Sequence, residues 1–360
     1  MTRVYNFSPG PCTLPTSVVD ELGAELPEFN DAGMSLIEMS HRSAEYSEVH
    51  EDTIRRLTTL YAVPEDVSVL LLQGGASLQY AMVPLNALAS GTRAAYINSG
   101  AWAKKAIADA KIIGDAYVAW SGEDTNFTRM PTPDEVNVEE GTSYVHLVSN
   151  ETIGGLRMAE FADYGVPTIA DMSSELLSRP IPWDRFDIVY GGAQKNAGPA
   201  GVTAVFVRQN IIDSAPTEMP SYLRYATHAK ANSLSNTPPV FAIWAMNKML
   251  RWIENAGGLT AMEKRAETRS NKLYTAIDDS DGFYVNPVRV ADRSHSNIVF
   301  TLGSEDLEAK FIAEAAEKNM VNLKGHRSVG GIRASVYHGL PDEAVYALAD
   351  FMATFQKENG

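Results

Sequence analysis

Lys195 stands within Asp187–Val207, DIVYGGAQKNAGPAGVTAVFV, between the short apolar runs Ile188-Val189-Tyr190 and Val202–Val207. Runs this short, rich in β-branched residues and bounded by glycines, predict buried strands. The lysine then sits on a loop at a sheet edge, where Gly191, Gly192, Gly198 and Gly201 allow tight turns or close approach of a ligand. An amine so placed is either a solvated charge or a nucleophile able to form a Schiff base. Asp171 follows the apolar run Val166–Ala170 and is either a helix cap or a buried carboxylate. Gly74-Gly75-Ala76-Ser77 follows the run Val67–Gln73 and precedes an apolar helix, Leu78–Leu88. Strand, small-residue turn and helix start form either a plain connection or an N–H cradle for phosphate. No Gly-Lys-Ser/Thr follows, which disfavours nucleoside triphosphate hydrolysis. The pair His41-Arg42 caps a helix or binds an anion, and Arg333 leaves the core face of a short alternating strand.

The elements that must position these residues follow from the apolar patterning. Val67–Gln73, Ala94–Asn98, Ser143–Val148 and Val166–Ala170 have the continuous hydrophobicity of strands buried on both faces. Helices are predicted at Thr16–Leu26, Glu45–Tyr61, Leu78–Leu88 (broken or kinked near Pro84) and Ala101–Ile113, with Trp102 in the first turn of the last. Strands alternating with helices predict an α/β fold with a largely parallel sheet, whose ligands bind beyond the strands' carboxyl ends. Ser77, Trp102, Thr152, Asp171 and Lys195 all fall just beyond predicted strands. Further on, Asn232–Pro239 is an extended loop, and Val240–Ile253 is a core helix with Phe241, Trp244 and Leu250 inside. A boundary is expected at Ala256-Gly257-Gly258. Helix Thr260–Ile277, strand Asn297–Leu302, helix Leu307–Asn319 and helix Asp342–Lys357 come after it. The N-terminal segment Asn6–Pro15 is too proline-rich for a helix and reads as an ordered arm.

A chain of 360 residues with 45% hydrophobic and 21% charged residues has the composition of a globular protein large enough for two lobes. The net charge of −15 argues against nucleic acid or an anionic membrane as partner, but a local arginine cluster can still bind an anionic small molecule. The single cysteine, Cys12, excludes an intrachain disulfide and a cysteine-based metal cluster; no metal is expected. Met1–Asp20 has no sustained apolar core, and no apolar run spans a bilayer, so a cytoplasmic location is expected.

Nine stretches in order, NFSPGP, MSHRS, LLQGGASLQ, SNETIGG, ADMSS, LSRPI, GGAQKNAGPAG, SNTPP and GHRSVGGIRAS, span nearly the whole chain. On these the chain resembles the phosphoserine aminotransferase family of class V, pyridoxal-phosphate (PLP) enzymes of fold type I. The resemblance implies a large domain (16–257) with a mostly parallel seven-stranded sheet, and a smaller α+β domain formed by 1–15 and 258–360. It implies amino transfer between glutamate and 3-phosphohydroxypyruvate, with the phosphorylated four-carbon oxo acid of pyridoxine synthesis as a further substrate. Lys195 would bind PLP and move the proton, Asp171 would pair with the pyridine nitrogen, and Trp102 would stack on the ring. Ala76 and Ser77 would bind the phosphate through backbone N–H groups, with Gln194 and a second subunit's Asn236 and Thr237. Thr152 would bond the phenolic oxygen. His41, Arg42, His326, Arg327 and Arg333 would bind the substrate's anionic groups, some from the partner of a homodimer with shared active sites. Many members carry arginine where Ser77 stands. The alternatives are another small-molecule aminotransferase, a cysteine desulfurase, for which Cys12 in the arm is the only thiol, or a non-catalytic phosphate-binding module.

Overall fold

The computed structural model describes residues 3–360, so the first two residues of the expected arm 1–15 lie outside it. Seven strands form the central sheet: β1 (Val67–Leu72), β2 (Arg93–Asn98), β3 (Ala116–Ser121), β4 (Thr142–Val148), β5 (Thr168–Asp171), β6 (Ile188–Gly192) and β7 (Thr203–Arg208). Their spatial order is β1-β7-β6-β5-β4-β2-β3. All run parallel except β7, which lies antiparallel between β1 and β6. The α/β class and the mostly parallel seven-stranded sheet are therefore as expected. The carboxyl ends of the six parallel strands emerge on one edge, and the loops leaving them carry the chemistry.

The strands are apolar throughout because both faces are covered. Val145, Leu147, Val189 and Phe206 face one way, against α2 (Ala44–Tyr61) and α5 (Val240–Asn255), on which α1 (Thr16–Glu25) also packs. Tyr144, Ile169, Ile188 and Val205 face the other, against α3 (Gly75–Ala87) and α4 (Ala101–Ile113). Three expectations are corrected here. Helix α3 begins at Gly75 rather than Leu78, and it runs through Pro84 unbroken, because packing against α4 and the sheet outweighs one lost backbone bond. Strand β3, absent from the sequence reading, is an edge strand: its run Ala116–Trp120 is continuously apolar, although Val118 faces solvent. Phe241 is 43% exposed, whereas Trp244 and Leu250 are buried as expected.

After α5, Gly257 in the left-handed region (φ +101°) turns the chain into α6 (Gly258–Asp278). A separate core follows, built from α6, α7 (Glu305–Glu317), α8 (Asp342–Asn359) and the antiparallel pair Asn297–Phe300 and Ile332–Ser335. Phe7 of the N-terminal arm is buried in it. Phe311 is its centre, ringed by Tyr284, Phe300, Phe351 and Phe355. Replacing Phe311 by alanine is expected to cost about 3–5 kcal/mol, since the aromatic ring around it cannot collapse into the void. Denaturant titration of the Phe311→Ala variant checks this; a loss below about 1 kcal/mol would contradict the packing described.

Candidate active site

Five strand ends converge on one cavity. Beyond β1, Gly74 adopts φ +87° and ends the strand in a turn so tight that a Cβ there would meet Leu78 Cβ at 2.5 Å. No side chain caps α3, whose first backbone bond is Leu78 N–H to Gly74 O. The N–H groups of Gly75, Ala76 and Ser77 are left without an acceptor among the described residues, at the positive end of the helix dipole. Beyond β6, Lys195 is only 7% exposed. Its Nζ donates to Ser174 Oγ at 2.7 Å and to Thr152 Oγ1, and lies 5.8 Å from the Trp102 ring centre. No carboxylate pairs with it among the described residues.

Asp171 is the last residue of β5, not the first beyond it, and is 4% exposed. It accepts from Ser173 N–H at 2.9 Å and from Tyr80 OH at 3.2 Å. Burial raises its carboxyl above the ordinary range, and Ser173, Lys195 and Tyr80 only partly offset that. Trp102, in the first turn of α4, walls the cavity with its indole, and its Nε1 is buried without an acceptor. Of the residues singled out by sequence, Ala76, Ser77, Trp102, Thr152, Asp171, Gln194 and Lys195 all line this cavity. It offers unfilled N–H groups for an anion, a buried carboxylate for a cation, a flat aromatic wall and a buried amine. That donor set fits a flat, cationic heteroaromatic phosphate carrying an aldehyde.

Arg333 comes from the other core. It is 7% exposed, donates to Thr152 O at 3.4 Å, leaves Nε without an acceptor and forms no ion pair among the described residues. Burial lowers its pKa. His326, bonded to Ser328 Oγ at 2.7 Å, is held below its usual pKa by burial and then by Arg333, Arg327 and Lys105, so these cations gather on one side. His326 and exposed Arg327 do not line the cavity. His41 and Arg42, just ahead of α2, and Asn236 and Thr237, just ahead of α5, also lie off it within one chain; Thr237 O accepts from Gln73 Nε2 at 3.0 Å. Sequence reasoning missed Tyr80, Ser173, Ser174 and Glu151. Two of these lay in ADMSS and one in SNETIGG, but no spacing rule gave them a partner.

A family model for class-V aminotransferases matches residues 4–348. The chain belongs to the class-V aminotransferases. Among them it is 47% identical over 358 residues to phosphoserine aminotransferase of Lysinibacillus sphaericus, covering 99% of each chain. The solved phosphoserine aminotransferase from Bacillus circulans subsp. alkalophilus superposes with a TM-score of 0.98 at 46% identity, covering 99% of both chains. The PLP-bound phosphoserine aminotransferase from Trichomonas vaginalis superposes at 0.93 with 36% identity, covering 98% of this chain and 100% of that one. This class-V aminotransferase is a PLP-dependent enzyme of fold type I.

In this aminotransferase the segment carrying Ser173 and Ser174 is pinned from behind by a buried ion triad. Arg157 Nε donates to Glu175 Oε1 at 2.8 Å, and Arg179 Nη2 donates to Oε2 at 2.9 Å. Arg179 also donates to the carbonyls of Met158 and Ala159. Burial alone would raise the Glu175 carboxyl, but Arg179 and Arg157 overcome it and hold it below the ordinary value. Its contribution to stability is therefore complete above the unfolded carboxyl value and lost as pH falls through the lower folded one. Glu175→Gln leaves two buried guanidinium groups without a counter-charge and is expected to cost about 3–5 kcal/mol. Thermal unfolding near neutral pH checks this; an unchanged midpoint would refute the role given to the triad.

Proposed function

We infer that this aminotransferase moves an amino group from L-glutamate to 3-phosphohydroxypyruvate, reversibly, giving O-phospho-L-serine and 2-oxoglutarate. The observation that carries the substrate choice is the buried, unpaired guanidinium of Arg333, with Arg327 and Lys105 adding positive charge around His326. Phosphoserine has a carboxylate and a phosphate, glutamate has two carboxylates, and each needs two anion sites. A guanidinium that has lost its water but gained no carboxylate in the protein is poised for a bidentate one from a substrate.

PLP, when bound, supplies an electron sink for the carbanion at the substrate's Cα. The residues of this chain do the rest. The N–H groups of Ala76 and Ser77, with Gln194, hold the phosphate at the start of α3, as a helix N-terminus favours. Asp171 holds the proton on the pyridine nitrogen; a cation there relieves the carboxylate of the burial that raises it. Trp102 stacks on the ring and keeps water off one face, and Thr152 bonds the phenolic oxygen. Lys195 would hold the cofactor through its amine, and that amine would be the base that moves a proton at the substrate's Cα. Ser174 and Thr152, which hold its Nζ, set where that amine waits. Arg333 takes the α-carboxylate. The second anion site is formed by His326 and Arg327 with His41 and Arg42, while Asn236 and Thr237 extend the phosphate site of a partner subunit. In this reading the working unit is a cytoplasmic homodimer. We place the division between a large domain (16–257) and a small one (1–15 with 258–360) at Gly257, supported by the separate core that includes Phe7.

Purified protein is expected to show the visible absorbance of a lysine-bound cofactor, and Lys195→Ala to lose it; a colourless wild type that takes up no added PLP would sink the reading. Half-reactions followed on that absorbance against phosphoserine, serine, alanine and aspartate test the substrate, with phosphoserine expected to react fastest. Arg333→Ala is expected to weaken both amino-acid substrates. Arg327→Ala or His326→Ala should weaken phosphoserine at least as much as glutamate. Each loses a charge-assisted contact of roughly 1.5–3 kcal/mol, about ten- to a hundredfold in the affected constant. Unchanged constants for all three variants would refute the two anion sites.

A further inference from the structure

One buried ionisable group behind the pocket wall has no part in the chemistry above. Glu151 is 1% exposed and forms no ion pair among the described residues. It lies on the two-residue strand Asn150–Glu151, directly before Thr152, yet its side chain reaches across to the start of α4. Oε2 accepts the N–H of Trp102 at 3.2 Å and Oε1 that of Ala103 at 3.0 Å. Ser99 Oγ lies 3.5 Å from Oε1. The residue at the cap position of α4 is Gly100, which offers no side chain, and a Cβ there would come within 2.7 Å of Glu151 Cδ. The glycine thus clears the space through which a carboxylate some fifty positions later caps the helix.

We propose that Glu151 is a positioning residue for PLP: as the ionised carboxylate it clamps the first turn of α4 and so fixes the Trp102 wall against Thr152 and Lys195. The proposal rests on the cofactor reading given above. Two orphan N–H groups need two acceptor oxygens, which a carboxylate supplies and a carboxylic acid or a carboxamide does not. A bond to an ionised acceptor is also the stronger one. Trp102 carries the cavity wall on the residue whose own N–H is clamped, so loosening the clamp moves the indole directly.

The charge state of the clamp is open to change near neutrality. Burial pushes the Glu151 carboxyl up to about 7, against the pull of the Ala103 and Trp102 N–H groups. The ionisable groups facing it are Asp171 on β5, which raises it, Lys195 beyond β6, which lowers it, and Tyr80 on α3. A cation placed against Asp171 screens that carboxylate and favours the ionised clamp. The Glu151 contribution to PLP affinity therefore grows as pH rises through this range.

Apoprotein of the wild type, Glu151→Gln and Glu151→Asp separates the outcomes. Amide hydrogen exchange at Trp102 and Ala103 needs no PLP and is expected to quicken at least about tenfold in Glu151→Gln. The dissociation constant for PLP should be close to wild type at about pH 6 and weaker by about tenfold at about pH 8. Glu151→Asp keeps a titrating group on a shorter stem, so it should bind more weakly than wild type while retaining the rise of affinity with pH. If Glu151→Gln lowers the unfolding temperature but binds PLP like wild type at both pH values, the residue is a structural cap only and the proposal is overturned. Should Glu151→Gln not fold, a Glu151→Asp variant with wild-type exchange and affinity overturns it equally. Wild type that takes up no PLP shows instead that the cofactor reading has failed, while the exchange data still decide the clamp.

Discussion

Lys195 and Asp171 are opposite charges buried in one cavity and kept from pairing. Paired, they would neutralise each other and leave nothing for a cofactor to bind. The fold prevents this by giving each its own neutral partners. Asp171 is tied to Ser173 and Tyr80, and Lys195 to Ser174 and Thr152. Both charges are expensive to bury, and hydrogen bonds from hydroxyl and amide groups meet only part of that cost. What remains is a standing demand for a ligand with a cation at one end and an electrophile near the other. Much of the surrounding structure exists to sustain that demand: the strand ends that space the two residues, the ion triad behind Ser174, and the aromatic wall.

The second core contributes by holding Arg333 in register with the first. Its strand Ile332–Ser335 is joined to the cavity through buried polar side chains. Asn150 Nδ2 donates to Asn297 Oδ1 at 2.9 Å, and Asn297 Nδ2 donates to Ser335 Oγ and Tyr337 OH at 3.1 and 3.0 Å. Asn196, next to Lys195, accepts from His338 N–H at 3.0 Å and donates to Ser178 at 2.9 Å. Such networks are costly if any member goes unsatisfied, so they admit few alternative arrangements. The distance from guanidinium to amine is thereby set by the core and not by a surface loop.

The cavity residues legible in the sequence share a property: each stands at or just beyond the end of a strand whose apolar run announces it. Ser77, Trp102, Thr152, Asp171 and Lys195 could be placed at one sheet edge by periodicity alone, and the family resemblance gave them roles. Residues defined by distant contacts could not be found this way. Glu151 meets α4 across 48 and 49 positions, Tyr80 meets Asp171 across 91, and Ser174 meets Lys195 across 21. None carries a local signal, because a serine or glutamate just beyond a strand is ordinary. Strand β3 was legible and missed: its run Ala116–Trp120 is continuously apolar. Pro84 misled in the opposite sense, since a local breaker lost to tertiary packing.

The lone antiparallel strand has a consequence for how Lys195 behaves. Because β7 returns between β1 and β6, the loop bearing Lys195 begins at Gly192 and ends at Thr203, and those two residues are register partners. The loop is a closed stitch, secured at both ends within the sheet. If the amine holds and releases PLP as proposed, it would stay leashed by its own four-carbon stem, since the loop beneath it is fixed at both ends. A freed amine that cannot diffuse away acts at an effective concentration far above that of any amine in solution. In the proposed role the same nucleophile would return to the same carbon after every turnover, and the tether that ensures it is one strand running the other way.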